Sequence, residues 1–84
     1  MINLTPDTLT FFRNLVDDSG NWGGSPMIGN GSNIPGDASA HRGHLTALKK
    51  AGLVTSFKDR SDTFVEFTAA GRAYAAELGM QVRG

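Results

Sequence analysis

Leu45-Thr46-Ala47-Leu48-Lys49-Lys50-Ala51-Gly52-Leu53-Val54-Thr55-Ser56-Phe57-Lys58-Asp59-Arg60-Ser61-Asp62-Thr63-Phe64-Val65-Glu66-Phe67-Thr68-Ala69-Ala70-Gly71-Arg72-Ala73-Tyr74 is the stretch that decides the fold. It opens as the end of an amphipathic helix, with Leu45 and Leu48 on the inward face, Ala47 and Ala51 in support and His41 as a further candidate. Gly52 is the expected left-handed stop, because glycine takes positive φ without a Cβ penalty. Two β-rich runs follow, joined by Asp59-Arg60-Ser61-Asp62 as a four-residue polar loop, so residues 53–68 read as a hairpin. Val65 and Phe67 are expected to face the core, with Phe57 packing beside them or across the strand pair. Thr68 then caps a last helix at 69–78, with Ala70, Tyr74 and Leu78 inward, Gly79 as its stop and Met80 to Gly84 as a loose tail.

Working outward, Asp37 or Ser39 can cap the helix that ends near Ala51, giving 38–51. At the front, Thr5 is an N-cap, Pro6 suits the first helical position, and Asp7 complements the positive end of the helix dipole. Leu4 and Leu9 are spaced for a hydrophobic staple, and Leu9, Phe12, Leu15 and Val16 recur at helical spacing with Phe11 beside them. This predicts a helix over 6–18, ended by Asp17-Asp18-Ser19-Gly20. Residues 20–36 contain six glycines together with Pro26 and Pro35. Each interior glycine costs a helix about 1 kcal/mol relative to alanine, so this stretch reads as a loop. Met27-Ile28 is a candidate short strand against the later hairpin, Asn30-Gly31 is a turn signal, and Trp22 is expected as a core plug.

A chain of 84 residues suits one small domain, 1–84, of α+β class, with 39% hydrophobic and 19% charged residues. It has no cysteine, which excludes disulfides and thiolate metal sites. The N-terminus lacks the pattern of a secretory signal and no apolar run is long enough to span a bilayer, so a cytoplasmic location is expected. Net charge is zero, from 8 basic and 8 acidic residues, but the charges are segregated. Arg42, Lys49, Lys50, Lys58 and Arg60 face only Asp59 between His41 and Arg60, whereas the chain up to Asp37 has Arg13 against Asp7, Asp17, Asp18 and Asp37. Segregation of this kind creates a local field that net charge conceals.

Enzymatic chemistry finds little purchase. Gly24 to Gly31 lacks the Lys-Ser/Thr of a phosphate-binding loop. Asp37, His41 and His44 lie at i, i+4 and i+7, but a metal site needs convergent, supported ligands, and ordinary helical histidines are the expected reading. Ser39, His41 and Asp37 are too close on one helix to build a nucleophile's cleft. Asn3-Leu4-Thr5 and Asn30-Gly31-Ser32 match the glycosylation pattern in a chain with no expected secretion. No catalytic residue, metal or cofactor is expected.

The polar face of the 38–51 helix is more telling. Ser39, Arg42, Thr46 and Lys49 recur at i, i+3, i+7 and i+10 with Lys50 alongside, and no carboxylate interrupts them. Arg reads guanine edges bidentately, and Ser, Thr and Lys hold phosphates. The block Leu45 to Val54 resembles the end of the recognition helix and the following "L-x-x-x-G-L-V" of regulators of the multiple-antibiotic-resistance repressor (MarR) type. Phe67-Thr68-Ala69-Ala70-Gly71-Arg72-Ala73 is similar to that family's "L-T-x-A-G-R" after the wing. The resemblance spans roughly 42–78. It implies a winged helix-turn-helix of three helices and a hairpin wing, with a glycine-rich loop in place of a regular second helix. It further implies binding of double-stranded DNA through Ser39, Arg42, Thr46, Lys49 and Lys50 on the helix and Lys58 and Arg60 on the wing, in transcription regulation. The glycine-rich stretch Asn21-Trp22-Gly23-Gly24-Ser25-Pro26 is similar to the Asn-Trp-x-Gly-x-Pro of small bacteriophage-encoded proteins that also have a Leu-Lys-Lys-Ala-Gly-Leu-Val block. The family's flanking dimerisation helices have no counterpart in the sequence. The alternative is a protein-interaction module on the same scaffold that binds no DNA and meets a host or phage partner through Trp22 and the loop.

Overall fold

The computed structural model describes residues 4–21, 25–29, 32 and 34–82. Its elements are α1 (Pro6–Asp18), a 3-10 turn (Ser19–Asn21), β1 (Met27–Ile28), α2 (Ala38–Lys50), β2 (Val54–Asp59), β3 (Asp62–Phe67) and α3 (Ala69–Glu77). The three strands form one antiparallel sheet in the order β1-β3-β2. The result is a small α+β fold. Among the described residues, no helix is long and apolar enough to cross a membrane. The readings that rest on Trp22 and on Asn30-Gly31 lie outside the described residues.

α1 begins where its cap chemistry requires. Thr5 Oγ1 accepts the Thr8 N–H, which satisfies one of the orphan donors of the first turn. The buried face differs in phase from the expectation: Thr8, Phe11, Phe12, Leu15 and Val16 are buried, and Leu9 is only half-buried. Thr8 is tolerated inside because Thr5 Oγ1 donates to its hydroxyl, which in turn lies 2.9 Å from His44 Nδ1 on α2. Phe12 is fully enclosed and meets Phe67 edge-on at 5.9 Å and Tyr74 at 5.4 Å, so one ring joins α1, β3 and α3. The helix ends at Asp18 as expected, but the chain continues into the 3-10 turn, and Asp18 itself is buried.

Asp37, rather than Ser39, caps α2, its side chain accepting the Ala40 N–H at 2.8 Å. The far end of α2 closes as a Schellman motif: Leu53 N–H reaches Leu48 O, Gly52 N–H reaches Lys49 O, and Gly52 adopts φ 77°. Leu53 and Leu48, both fully buried, supply the hydrophobic contact expected of that motif. α3 ends in the same way, with Gly79 N–H to Ala76 O and Met80 N–H to Ala75 O.

The turn at Gly52 leads directly to a junction with α3. Thr68 N–H donates to Leu53 O, and Thr68 Oγ1 donates to Gly52 O while accepting the Gly71 N–H as N-cap. Gly71 is buried because the first turn of α3 lies against the Leu53 carbonyl; a Cβ at Gly71 would collide with that oxygen. The inward face of α3 is consequently Gly71 and Ala75, with Tyr74 and Leu78 half-buried, and Ala70 is exposed, contrary to expectation. A stripe centred on Ala70 cannot form once Gly71 is the point of closest approach. The tail also departs from its reading as loose chain: Val82 is buried in the core and Met80 packs against it.

The hairpin register pairs Val54 with Phe67 and Asp59 with Asp62, which leaves a two-residue loop, Arg60-Ser61, instead of the four-residue loop expected. Arg60 is the one non-glycine described residue with positive φ, at 61°, as the first position of tight primed hairpin turns demands. Val54, Ser56 and Lys58 share the face of Val65 and Phe67, toward the core and α2. Phe57 does not join Val65 and Phe67; it lies on the opposite face, stacked on its cross-strand partner Phe64 at 5.5 Å.

β1 is the short strand expected at Met27-Ile28, adding to β3 opposite Phe64 and Thr63. From it the chain returns to α2 through a segment fastened by His41. This histidine is 1% exposed; its Nδ1 accepts Gly29 N–H at 2.8 Å and its Nε2 lies 3.0 Å from Pro35 O. A carbonyl only accepts, so Nε2 carries the proton and the ring is the neutral Nε2–H tautomer. Ser32 adds bonds to Met27 O and Ile34 N, and Ile34 inserts into the core.

Three substitutions test these points. Gly71→Ala should destabilise the fold by about 2 kcal/mol or more, since the obstruction is backbone rather than a movable side chain. Gly43→Ala, exposed on α2 with open space around it, should stabilise by about 0.5–1 kcal/mol; urea unfolding of both variants would show opposite signs. His41→Phe keeps a ring beside Phe11, 5.3 Å away, but strands the Gly29 N–H and Pro35 C=O, at about 1–3 kcal/mol for each group left dry. An unchanged urea midpoint in that variant would exclude His41 as the fastener.

Candidate nucleic-acid interface

The residues anticipated as DNA contacts, Ser39, Arg42, Thr46, Lys49 and Lys50 on α2 and Lys58 and Arg60 on the hairpin, are all exposed. They share that property for a simple reason. α2 turns His41, Leu45 and Leu48 inward, and at 3.6 residues per turn the i, i+3, i+7, i+10 series must then face away from the core.

The structure gathers some of these groups more closely than others. A groove of about 510 Å³ runs between α2 and the hairpin, and Arg42 and Lys58 both line it. Leu45 forms part of its wall, and Ser56, Asp62 and Thr63 border it from the hairpin side. Lys49 reaches across from α2, its Nζ donating to Ser56 Oγ at 3.2 Å. Guanidinium, two ammonium groups and hydroxyls therefore meet where the helix and hairpin approach each other. Ser39, Thr46, Lys50 and Arg60 do not line the groove, and Lys49 touches it only through its bond to Ser56. Ser39 lies in the first turn of α2 and Lys50 is its last residue. Thr46 directs its hydroxyl to Arg42 O at 2.9 Å, which leaves its oxygen only as an acceptor toward a ligand. Arg60 stands at the hairpin tip in its left-handed conformation.

Asp62, Ser56 and Thr63 were not among the anticipated residues. The positions of Ser56 and Thr63 follow from the register: with Lys58 opposite Thr63 and Ser56 opposite Val65, alternation carries Ser56, Lys58 and Thr63 to the side that faces α2. The signal was in the sequence, since Val65 and Phe67 mark the core face, but it becomes legible only once the loop is known to be two residues. Asp62 borders the hairpin end of the groove, but the same alternation sends its side chain, opposite Asp59, to the other face of the sheet. An anionic strand passing there is drawn toward Arg42 and Lys58.

The two histidines of α2 serve its attachment to the rest of the fold. Phe11 of α1 sits between them, 5.3 Å from the His41 ring and 5.2 Å from His44. With His41 bonded to Gly29 and Pro35, His44 to Thr8, and Asp37 to the first turn of α2, each member of the Asp37-His41-His44 series has a structural partner. Among the described residues, no group of three or more His, Asp or Glu side chains is arranged to hold a metal ion. Compared with protein families, with curated protein sequences and with solved structures, the chain matches none.

Proposed function

We propose that the chain is a winged helix-turn-helix module that binds double-stranded DNA, acting in the cytoplasm as a small transcription regulator of phage or bacterial origin. In this reading α2 is the recognition helix and β2–β3 the wing, as the resemblance of Leu45 to Val54 and of Phe67 to Ala73 to the MarR-type regulators suggests. The observation that carries the proposal is the convergence of Arg42 from the helix and Lys58 from the hairpin on one groove, with Lys49 bridging to Ser56. A duplex needs this combination: an exposed helix free of carboxylates for the major groove, and cations to either side for the phosphates. Arg42 is assigned to a base edge, Lys49 and Lys58 to phosphates, Ser39, Thr46 and Lys50 to flanking backbone contacts, and Arg60 to the backbone beyond the wing.

Binding to random-sequence duplex at low and moderate salt tests the reading. Arg42→Ala should cost about 1–3 kcal/mol of affinity. Lys49→Ala and Lys58→Ala should each reduce the salt slope by about one unit, since each phosphate contact releases about one counterion. All three sites are exposed, so melting temperatures should hold. Salt-independent affinity, or no complex with any duplex at low salt, would eliminate DNA binding and leave the protein-interaction alternative.

Arg60 allows a sharper separation of stability from binding. Arg60→Gly removes the φ penalty of about 1 kcal/mol that a side chain incurs in the left-handed region. The variant should unfold at higher urea concentration and yet bind duplex more weakly. A variant that is both more stable and undiminished in affinity would remove Arg60 from the interface.

A further inference from the structure

The hairpin has a second face that DNA binding does not use. Phe57 is the one large hydrophobic side chain exposed among the described residues, at 41%, and it stacks on Phe64 on the side of the sheet turned away from α2. Alternation sends Thr55, Asp59 and Glu66 to that same side. Asp59 stands directly opposite Asp62 in the closing pair of the hairpin, and like charges facing each other across a strand pair destabilise it. An apolar platform is therefore flanked by carboxylates, which would turn a nucleic-acid backbone away.

Among the described residues, no strand pairs with the edge beside this platform. β2 is an outer strand of the sheet. The bond from Thr68 N–H to Leu53 O and the closing pair Asp59–Asp62 fix which residues exchange ladder bonds with β3: Leu53, Thr55, Phe57 and Asp59. The N–H and C=O groups of Ser56 and Lys58 accordingly point to the free edge. Val54 is buried, so the edge is available over its hairpin half only. A short, exposed edge of this kind is a template for an added strand.

We propose that this edge and platform take up an extended, basic segment of a partner protein as an additional strand beside β2. Charge selects that occupant over a second copy of the chain. In a two-fold pairing centred on Phe57, each Asp59 would face Thr55 of the other copy, and two Asp59–Asp62 pairs would be brought onto one face. A basic strand instead offers Arg or Lys to Asp59 and Glu66, and a cation to the exposed face of Phe57. The pattern is specific as well. Side chains of the added strand on the α2 side meet Ser56 and Lys58 and must be uncharged, so the segment alternates basic with small polar residues. The aromatic and acidic face of this surface is the one turned away from the α2 groove, although the added strand would border the groove at Ser56 and Lys58; the proposal does not depend on the DNA-binding reading.

The probe is the peptide Thr-Arg-Thr-Arg-Thr-Arg-Thr with blocked ends, and its Glu-for-Arg counterpart, titrated into the full chain at about 50 mM salt. The Arg peptide should bind and slow hydrogen exchange at the Ser56 and Lys58 amides, and the Glu peptide should not. Phe57→Ala and Asp59→Lys should each weaken the complex by at least about tenfold. Asp59→Lys also puts opposite charges across the closing pair, so its loss of binding would not reflect a damaged hairpin. The proposal is overturned by equal binding of both peptides, by no binding of the Arg peptide, by protection confined to α2, or by self-association of the chain through the same amides.

Discussion

The Leu53 carbonyl is the point on which the rest of the fold turns. It accepts the Thr68 N–H and lies against Gly71, while Leu53's own N–H closes the end of α2 and its side chain is fully buried. Buried backbone groups must be paired, so these bonds hold the start of β2 and the end of β3 at one fixed offset. From 53 opposite 68 the ladder runs without interruption to 59 opposite 62. A slip of one residue would send Lys58 and Ser56 away from α2 and turn Phe57 toward it. The composition of the groove, the acidic and aromatic outer face, and the strained turn at Arg60 are all consequences of that offset.

The opposite end of α2 is held by a different device. Where a regular helix would brace it by packing, His41 uses two hydrogen bonds, one to each side of the segment between β1 and α2. Gly36, at φ 109°, lies against the His41 ring, whose atoms a Cβ there would approach to 3.4 Å. Glycine satisfies both the backbone conformation and the space. A glycine-rich segment can therefore position a helix if one buried side chain supplies the polar partners that such a segment lacks. The fastening also sets the orientation of Arg42, the residue that follows His41 and points the other way.

Local chemistry was the legible part of this sequence. Thr5, Asp37 and Thr68 announce helix starts, and Gly52 and Gly79 announce stops, because caps and left-handed turns act within a few residues. Even the two-residue strand at Met27-Ile28 could be anticipated from its apolar character and surroundings. What was not legible depends on distant partners. Gly71 reads as a weak point in a helix until the Leu53 carbonyl is placed against it, and the error over Ala70 follows from that omission. Val82 reads as tail because its neighbours are polar or small, yet it finishes the core. Of the candidate site, the exposed α2 stripe came directly from helical periodicity. The Arg42–Lys58 groove and the places of Ser56 and Thr63 beside it required the hairpin register, which a four-residue loop obscures.

The zero net charge acquires a different meaning in this setting. In Ser56-Phe57-Lys58-Asp59, neighbours in sequence are sent to opposite faces, so a locally neutral strand becomes a sheet with a basic side and an acidic side. The molecule extends 33 × 25 × 19 Å, and charges are screened over about 8 Å at physiological ionic strength. Each side of the sheet is therefore governed chiefly by its own nearest charges. Neutrality here results from sorting rather than mixing. The groove proposed for an anionic partner and the edge proposed for a cationic one are the two sides sorted in this way, whereas a uniformly basic surface would suit only the first.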